Sequence, residues 1–257
     1  MPTAEAKKRA GLAEMSAYGS VIFFTDEGPT EKLQRDFPAL AAAFPTCAAH
    51  TTGAVQIQSW TALELLGLGA NLQHYNDYVK ICFASRCSYC TKVSYINIYT
   101  KKQSNIMSAV ATYLKTLTAR RTIYALKPEL PGEITINDIQ SVVQTIIKET
   151  PTAFNSQPNR AVILTGETHK KVWDEVTKAI ESPAGQKRPA SARDEAFGSV
   201  IFFTDDKVTE RLKADFPAYA AAFPSFADHT SGAAQINSWV ALEAMGLGGH
   251  HNTTMVT

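Results

Sequence analysis

Short apolar runs and segments with one-sided or all-round apolarity alternate along the chain, and each kind predicts an element. Ser20–Thr25 and Ser199–Thr204 are rich in Val, Ile and Phe, are entered from Gly, and leave at Asp26 or Asp205. They predict buried strands. A short charged helix follows each, with Thr30 or Thr209 in its first turn, and ends at the Phe-Pro of 37–38 or 216–217 because the residue before Pro resists the helical region. After Ala-rich turns, Thr51–Leu66 and Thr230–Met245 read as helices, apolar on nearly all faces and therefore expected to be largely buried. Gly67 and Gly246 stand where a left-handed C-cap is wanted.

The remaining elements occur once. Ala109–Ala119 predicts a helix with Ala109, Tyr113, Leu114 and Leu117 on one side. Thr135–Glu149 is the cleanest amphipathic helix, with Ile136, Ile139, Val142, Val143, Ile146 and Ile147 in one stripe, Thr135 as N-cap and Pro151 past its end. Arg160–Leu164 predicts a strand, and Glu167–Ile180 a helix that turns Val172, Val176 and Ile180 inward. Helices and strands in this order imply an α+β layered fold.

The paired predictions reflect a repeat. Residues 19–69 and 198–248 align without a gap, and about two-thirds of their positions are identical. Two partial copies are too few for a solenoid. The chain therefore divides into a partial copy at 1–76, an irregular connector at 77–106 that holds three of the four Cys, and a second copy with single-copy material at 107–257. Neither copy is whole, which reads as a fused or mis-spliced tandem product.

Composition narrows the class. With 257 residues, 25 Lys+Arg against 24 Asp+Glu and a formal charge of +1, there is no electrostatic case for nucleic acid or an anionic membrane. No apolar run approaches the ~20 residues that span a bilayer, and no apolar stretch follows the basic N-terminus as in a secretory signal. The expectation is a soluble, cytoplasmic protein. Cys82, Cys87 and Cys90 have the spacing of three iron–sulfur ligands, but no fourth Cys follows, so they read as incidental thiols. His50 and His229 read as cap or core residues, and Trp60 and Trp239 as helix packing.

Two segments carry chemistry. Arg120-Arg121-Thr122 ends a helix and offers the guanidinium and hydroxyl donors that a phosphate monoester needs. The loop Pro151–Arg160, PTAFNSQPNR, offers amide and hydroxyl groups suited to the edge of a polar heterocycle or sugar. Taken singly, each is also an ordinary solvated pair or turn.

Together, ARRTIYAL, PTAFNSQPNRAVIL, HKKVW and the late WxALExxGLG motif resemble the nitroreductase family of flavin enzymes, in its fungal and bacterial nitroreductase-like branch. The late motif runs on as GANLQHYN in the first copy, Trp60–Asn76, and departs after Gly248 in the second. The resemblance implies a nitroreductase-like mixed sheet flanked by helices, a homodimer, and one FMN at each interface site. It implies that Arg120, Arg121 and Thr122 hold the FMN phosphate and ribityl chain. It places Pro151, Thr152, Asn155 and Gln157 in the loop facing the flavin ring, and Gly246, Leu247 and Gly248 in the segment passing close to it. It further implies NAD(P)H as reductant and a nitroaromatic or quinone-like small molecule as oxidant. The redox chemistry belongs to the cofactor, so no catalytic side chain is nominated. The competing expectation is a catalytically defective remnant acting at most as an interaction module, because the second copy lacks the family's tail, which leaves the phosphate site and dimer arm incomplete, and the first copy lacks Arg-Arg-Thr and FNSQ.

Overall fold

The computed structural model describes residues 19–73, 90–100 and 106–251. The chain forms two compact units, Met1–Lys115 and Thr116–Thr257. The sequence boundary at 107 lies one residue inside a helix, Ile106–Ala119, whereas the division between the units falls within it.

The first unit runs β1 (Gly19–Asp26), α1 (Glu27–Asp36), α2 (Phe44–Leu65), β2 (Leu68–Gln73) and β3 (Cys90–Thr100), then enters α3 (Ile106–Ala119). Its sheet is antiparallel with the order β1-β3-β2. The second unit continues with α4 (Ile136–Glu149), β4 (Asn159–Thr165), α5 (Gly166–Ala179), α6 (Pro183–Glu195), β5 (Gly198–Thr204), α7 (Asp206–Asp215) and α8 (Phe223–Ala244). There β4 and β5 form an antiparallel pair. This helix-rich arrangement around small sheets is the α+β class that the sequence implies. Among the described residues the strands pair antiparallel, and the parallel contact is an isolated bridge, Thr122 with Gly249.

Local sequence fixes local geometry, and the repeat shows it twice. Asp26 caps α1 by accepting from the Gly28 N–H, and Asp205 caps α7 by accepting from the Lys207 N–H. Phe37 and Phe216 close these helices at φ −132° with ψ 69° and 68°. Both long helices start seven residues before the expected Thr51 and Thr230, at Phe44 and Phe223, because Pro45 and Pro224 are suited to a first helical turn. Gly67 and Gly246 take the left-handed conformation, at φ 74° and 84°.

Burial does not repeat. In α8, nine residues are buried, including Phe223 at 2% exposure and Ala234 at 0%. In α2, four are buried, and Val55, the twin of Ala234, is 46% exposed. Leu212 of α7 is 9% exposed, while its twin Leu33 is 41% exposed. In the second unit α8 packs against α4, β4 and β5; among the described residues of the first unit α2 packs against β1, β2, β3 and α1. The expectation of a largely buried long helix therefore holds for α8 and fails for α2.

The connector is not uniformly irregular. Its residues Cys90–Thr100 form the central strand of the first sheet, with Ile96 completely buried. Clean alternation is lacking, but Thr91, Val93, Tyr95, Ile96, Ile98 and Tyr99 are β-branched or aromatic, which favours a strand with partners on both sides. β3 faces β1 in the register that β4 uses toward β5. Gly19 lies opposite Ile98 as Gly198 lies opposite Thr165, and Thr25 opposite Lys92 as Thr204 opposite Asn159. A strand of unrelated sequence thus fills the β4 position beside an identical GSVIFFTD. Cys82, Cys87 and residues 74–76 lie outside the described residues.

Helix α6 has no counterpart in the sequence reading, since Pro189 and Gly185 interrupt any helical pattern. Tertiary contacts hold it. The buried His169 donates from Nε2 to the Ala192 carbonyl at 2.9 Å, and Arg193 pairs with Asp174 at 3.1 Å.

Helix α4 begins with a reciprocal cap. The Thr135 hydroxyl accepts from the Asp138 N–H at 3.3 Å, and the Thr135 N–H donates to the Asp138 carboxylate at 2.8 Å. The Thr135 side chain, then its backbone, holds the Asp138 carboxyl below its ordinary pKa. A carboxylate with a depressed folded-state pKa stabilises above its unfolded value and ceases to do so as pH falls through the folded one. Urea unfolding should therefore show this contribution fading below about pH 4. Thr135→Ala, which removes the larger cause, should flatten that fall.

Candidate functional site

The Arg-Arg-Thr segment leaves α3 at Ala119 and runs beside the chain that follows α8. Thr122 bridges Gly249 in parallel, and the Ile123 N–H donates to the Gly249 carbonyl at 3.0 Å. Gly246 makes the turn at φ 84°, where its N–H donates to the Glu243 carbonyl at 2.9 Å. Leu247 follows with its N–H on the Leu242 carbonyl at 3.0 Å. At Gly248 a Cβ would meet the Ile123 side chain at 2.9 Å, so the missing side chain lets the two segments lie close. The structure therefore brings Arg120, Arg121 and Thr122 together with Gly246, Leu247 and Gly248, although more than a hundred residues separate them.

Rings fix both sides of this junction. The Arg120 guanidinium carbon sits 4.2 Å from the centroid of the Trp239 ring, and Arg188 sits 3.8 Å from that of Tyr124. Tyr124 packs against His250 at 5.5 Å, and His251 stacks on Trp239 at 6.2 Å with an interplanar angle of 20°. His251 also donates from Nε2 to Gln235 Oε1 at 2.7 Å. Its residue as a whole keeps solvent contact, but its ring is packed. Burial of that ring, then the neighbouring His250, holds the imidazole below the usual histidine pKa. At pH 7 it is therefore mainly neutral. Arg120 Nε, Trp239 Nε1, Glu243 Oε2 and His250 Nδ1 are sheltered from solvent without hydrogen-bond partners.

Arg120 and Arg121 enter no ion pair among the described residues, whereas Arg160 pairs with Asp205 at 3.3 Å and Arg193 with Asp174 and Asp194. Uncommitted guanidinium donors, an exposed Thr122 and a glycine turn fit the needs of a phosphate-bearing group. The buried, unpartnered Arg120 Nε supports the same conclusion.

The second segment, Pro151–Pro158, sits between α4 and β4 and carries backbone strain. Phe154, Asn155 and Gln157 lie in the left-handed region at φ 56°, 50° and 50°, a conformation costing about 1–3 kcal/mol at each non-glycine residue. Packing holds it there. The Phe154 ring lies 4.6 Å from Phe216, 5.5 Å from Phe223 and 5.8 Å from Tyr219. The Gln157 N–H donates to the Thr152 hydroxyl at 3.0 Å, and Arg160 donates to the Gln157 carbonyl at 2.8 Å. Asn155 and Gln157 are left exposed, and Asn159 Nδ2 donates to the Thr230 carbonyl in the interior.

Among the described residues, no hydrogen bond, ion pair or ring contact joins Pro151, Thr152, Asn155 or Gln157 to the Arg120–Thr122 or Gly246–Gly248 segments. The structure thus assembles two of the three candidate segments and leaves the third apart. Sequence reasoning took Trp239 for packing. The rings that grip the arginine segment had no local signal, because their partners lie far along the chain. Among the described residues, no group of three or more His, Cys, Asp or Glu is placed to hold a metal, and no helix is long and apolar enough to cross a membrane.

The protein HBN1 of Saccharomyces cerevisiae is 99% identical over 144 residues, which cover 56% of this chain and 75% of that protein. The nitroreductase FRM2 of the same organism is 58% identical over 149 residues, covering 57% of this chain and 77% of that protein. The crystal structure of a nitroreductase from Saccharomyces cerevisiae, 59% identical, matches with a TM-score of 0.52 over 54% of this chain and 78% of that chain. A model described as the nitroreductase family matches residues 117–250, a span that contains all ten candidate site residues. On these matches, and on the segments its structure brings together, the chain belongs to the nitroreductase family.

Proposed function

We propose that the chain is an FMN-dependent oxidoreductase that takes reducing equivalents from NAD(P)H and passes them to nitroaromatic or quinone-like small molecules, working as a homodimer. The observation that carries this reading is the junction of Arg120–Thr122 with the Gly246–Gly249 turn, where two arginines stand without ion-pair partners among the described residues beside a closely approaching backbone. Bound FMN supplies hydride-transfer chemistry, which water and side chains cannot supply alone.

The chain's own residues bind and orient. Arg120 and Arg121 neutralise the phosphate by charge-assisted hydrogen bonds, and Thr122 adds a hydroxyl donor. Gly246 and Gly248, on either side of Leu247, carry no side chain, which lets this backbone segment approach the flavin. Asn155 and Gln157, held outward by the strained loop, offer amides to the polar edge of the ring, and Pro151 and Thr152 shape that loop. No side chain is assigned a proton transfer.

Because the loop does not touch the arginine segment within one chain, the loop that faces a given flavin comes from the second protomer in this reading. The same observation favours a second reading, a defective remnant that folds but cannot assemble the site. Reconstitution with FMN separates the two. The expected result is a yellow dimer with about one flavin per chain and NAD(P)H-dependent reduction of a quinone. A colourless protein after reconstitution overturns the enzyme reading and leaves the remnant.

A further inference from the structure

We propose that Trp239 is a positioning residue for Arg120, holding the guanidinium by its face so that its N–H edge stays available to an oxyanion; this rests on the reading of Arg120–Thr122 as the phosphate site. An arginine can be held in place in two ways. A carboxylate partner fixes it but uses its donors and cancels its charge, as at Arg160 and Arg193. An aromatic face fixes it through the ring quadrupole and leaves all five N–H groups in the plane of the guanidinium.

Arg120 is held in the second way. Its guanidinium carbon is 4.2 Å from the Trp239 centroid, it has no ion pair among the described residues, and its Nε is buried without a partner. The ring is held in turn. His251 stacks on it and is tied to Gln235, which lies one helical turn before Trp239 on α8. The Trp239 Nε1 makes no hydrogen bond, so it is the ring face that does the holding. Restraining a long side chain before its ligand arrives lowers the entropy lost on binding.

The test uses the whole chain and two probes that differ only in the phosphate, FMN and riboflavin. Titration of each should show tighter binding of FMN. Trp239→Leu, which keeps apolar bulk but removes the π face, should weaken FMN by about 3- to 30-fold and leave riboflavin unchanged. Trp239→Phe should recover part of that loss, and Trp239→Leu added to Arg120→Ala should cost nothing more. The repeat supplies a control in Trp60, whose replacement by Leu should change neither probe. If Trp239→Leu weakens both probes equally, or neither, Trp239 is packing alone and the proposal is overturned while the phosphate site stands. If the unaltered chain binds FMN no more tightly than riboflavin, the phosphate reading itself fails and the proposal falls with it.

Discussion

Replacing Arg120 and Arg121 together by alanine is expected to weaken FMN binding by about 10²- to 10⁴-fold, enough to lose the flavin during purification. Each guanidinium gives charge-assisted hydrogen bonds worth about 1.5–3 kcal/mol, and about 1.4 kcal/mol is tenfold in affinity. The loss should fall on the phosphate, so riboflavin binding should hardly change. It should also remove most of the salt dependence of FMN binding, because screening acts on the charges that have been deleted. Neither arginine is committed to a carboxylate among the described residues, so the double variant leaves no acid unpaired and should fold. Arg193→Ala, which removes a guanidinium from contacts to Asp174 and Asp194 instead, supplies a control that should retain flavin. Flavin absorbance after gel filtration reads the result, and a double variant that elutes yellow would refute the phosphate assignment.

Phe223→Ala should destabilise the second unit by about 3–5 kcal/mol, the usual cost of emptying an aromatic site in a core. Phe223 is 2% exposed, and its ring meets Phe154, Phe216 and Phe226 at 5.5, 6.4 and 6.0 Å. Its removal also withdraws one of three rings that hold Phe154 in the left-handed region. The 151–158 loop should therefore relax, and protection of its amides against hydrogen exchange should drop. The repeat again provides the control. Phe44 stands at the same place in α2, but it is only half-buried, and among the described residues its ring pairs with Phe37 at 6.4 Å. Phe44→Ala should cost markedly less. Equal losses in urea unfolding for the two variants would contradict the packing difference between the units.

The comparison of the two copies separates what can be read locally from what cannot. The strand ends at Asp26 and Asp205, the breaks at Phe37 and Phe216, and the glycine turns at Gly67 and Gly246 were all legible, because each depends on groups a few residues apart; the capping role of the two Asp side chains came from the structure. The Thr135 cap and the apolar stripe of α4 were legible for the same reason, and Ile139 and Val143 of that stripe are buried. Helix α6 and strand β3 were not legible. The first is held by contacts to α5, and the second by partners on both of its edges, so neither shows a one-sided pattern in its own sequence.

The candidate site divides in the same way. Arg120, Arg121 and Thr122 stood out because two guanidinium groups beside a hydroxyl are phosphate donors, whereas Gly246, Leu247 and Gly248 entered as site residues through the resemblance to the nitroreductase family. The Phe-Asn-Ser-Gln loop stood out by composition, but its left-handed backbone did not, since Phe and Gln have no intrinsic preference for that region. Trp239 resembled an ordinary helix-packing residue, and its role depends on an arginine more than a hundred positions away.

By itself, the sequence determined most of the strand, helix, cap and turn choices that the two copies share, from the strands at Gly19 and Gly198 to the turns at Gly67 and Gly246. Those choices are settled by backbone sterics and hydrogen bonds within a turn or two, and GSVIFFTD and FP-AAAFP carry that information wherever they occur. Only the tertiary structure decided that Ala234 is enclosed while Val55 faces solvent, and that β3 stands beside β1 where β4 stands beside β5. It also decided that the arginine segment closes onto Gly249. Burial and register depend on the surface that another element presents, and closely similar helices offered different surfaces acquire different cores.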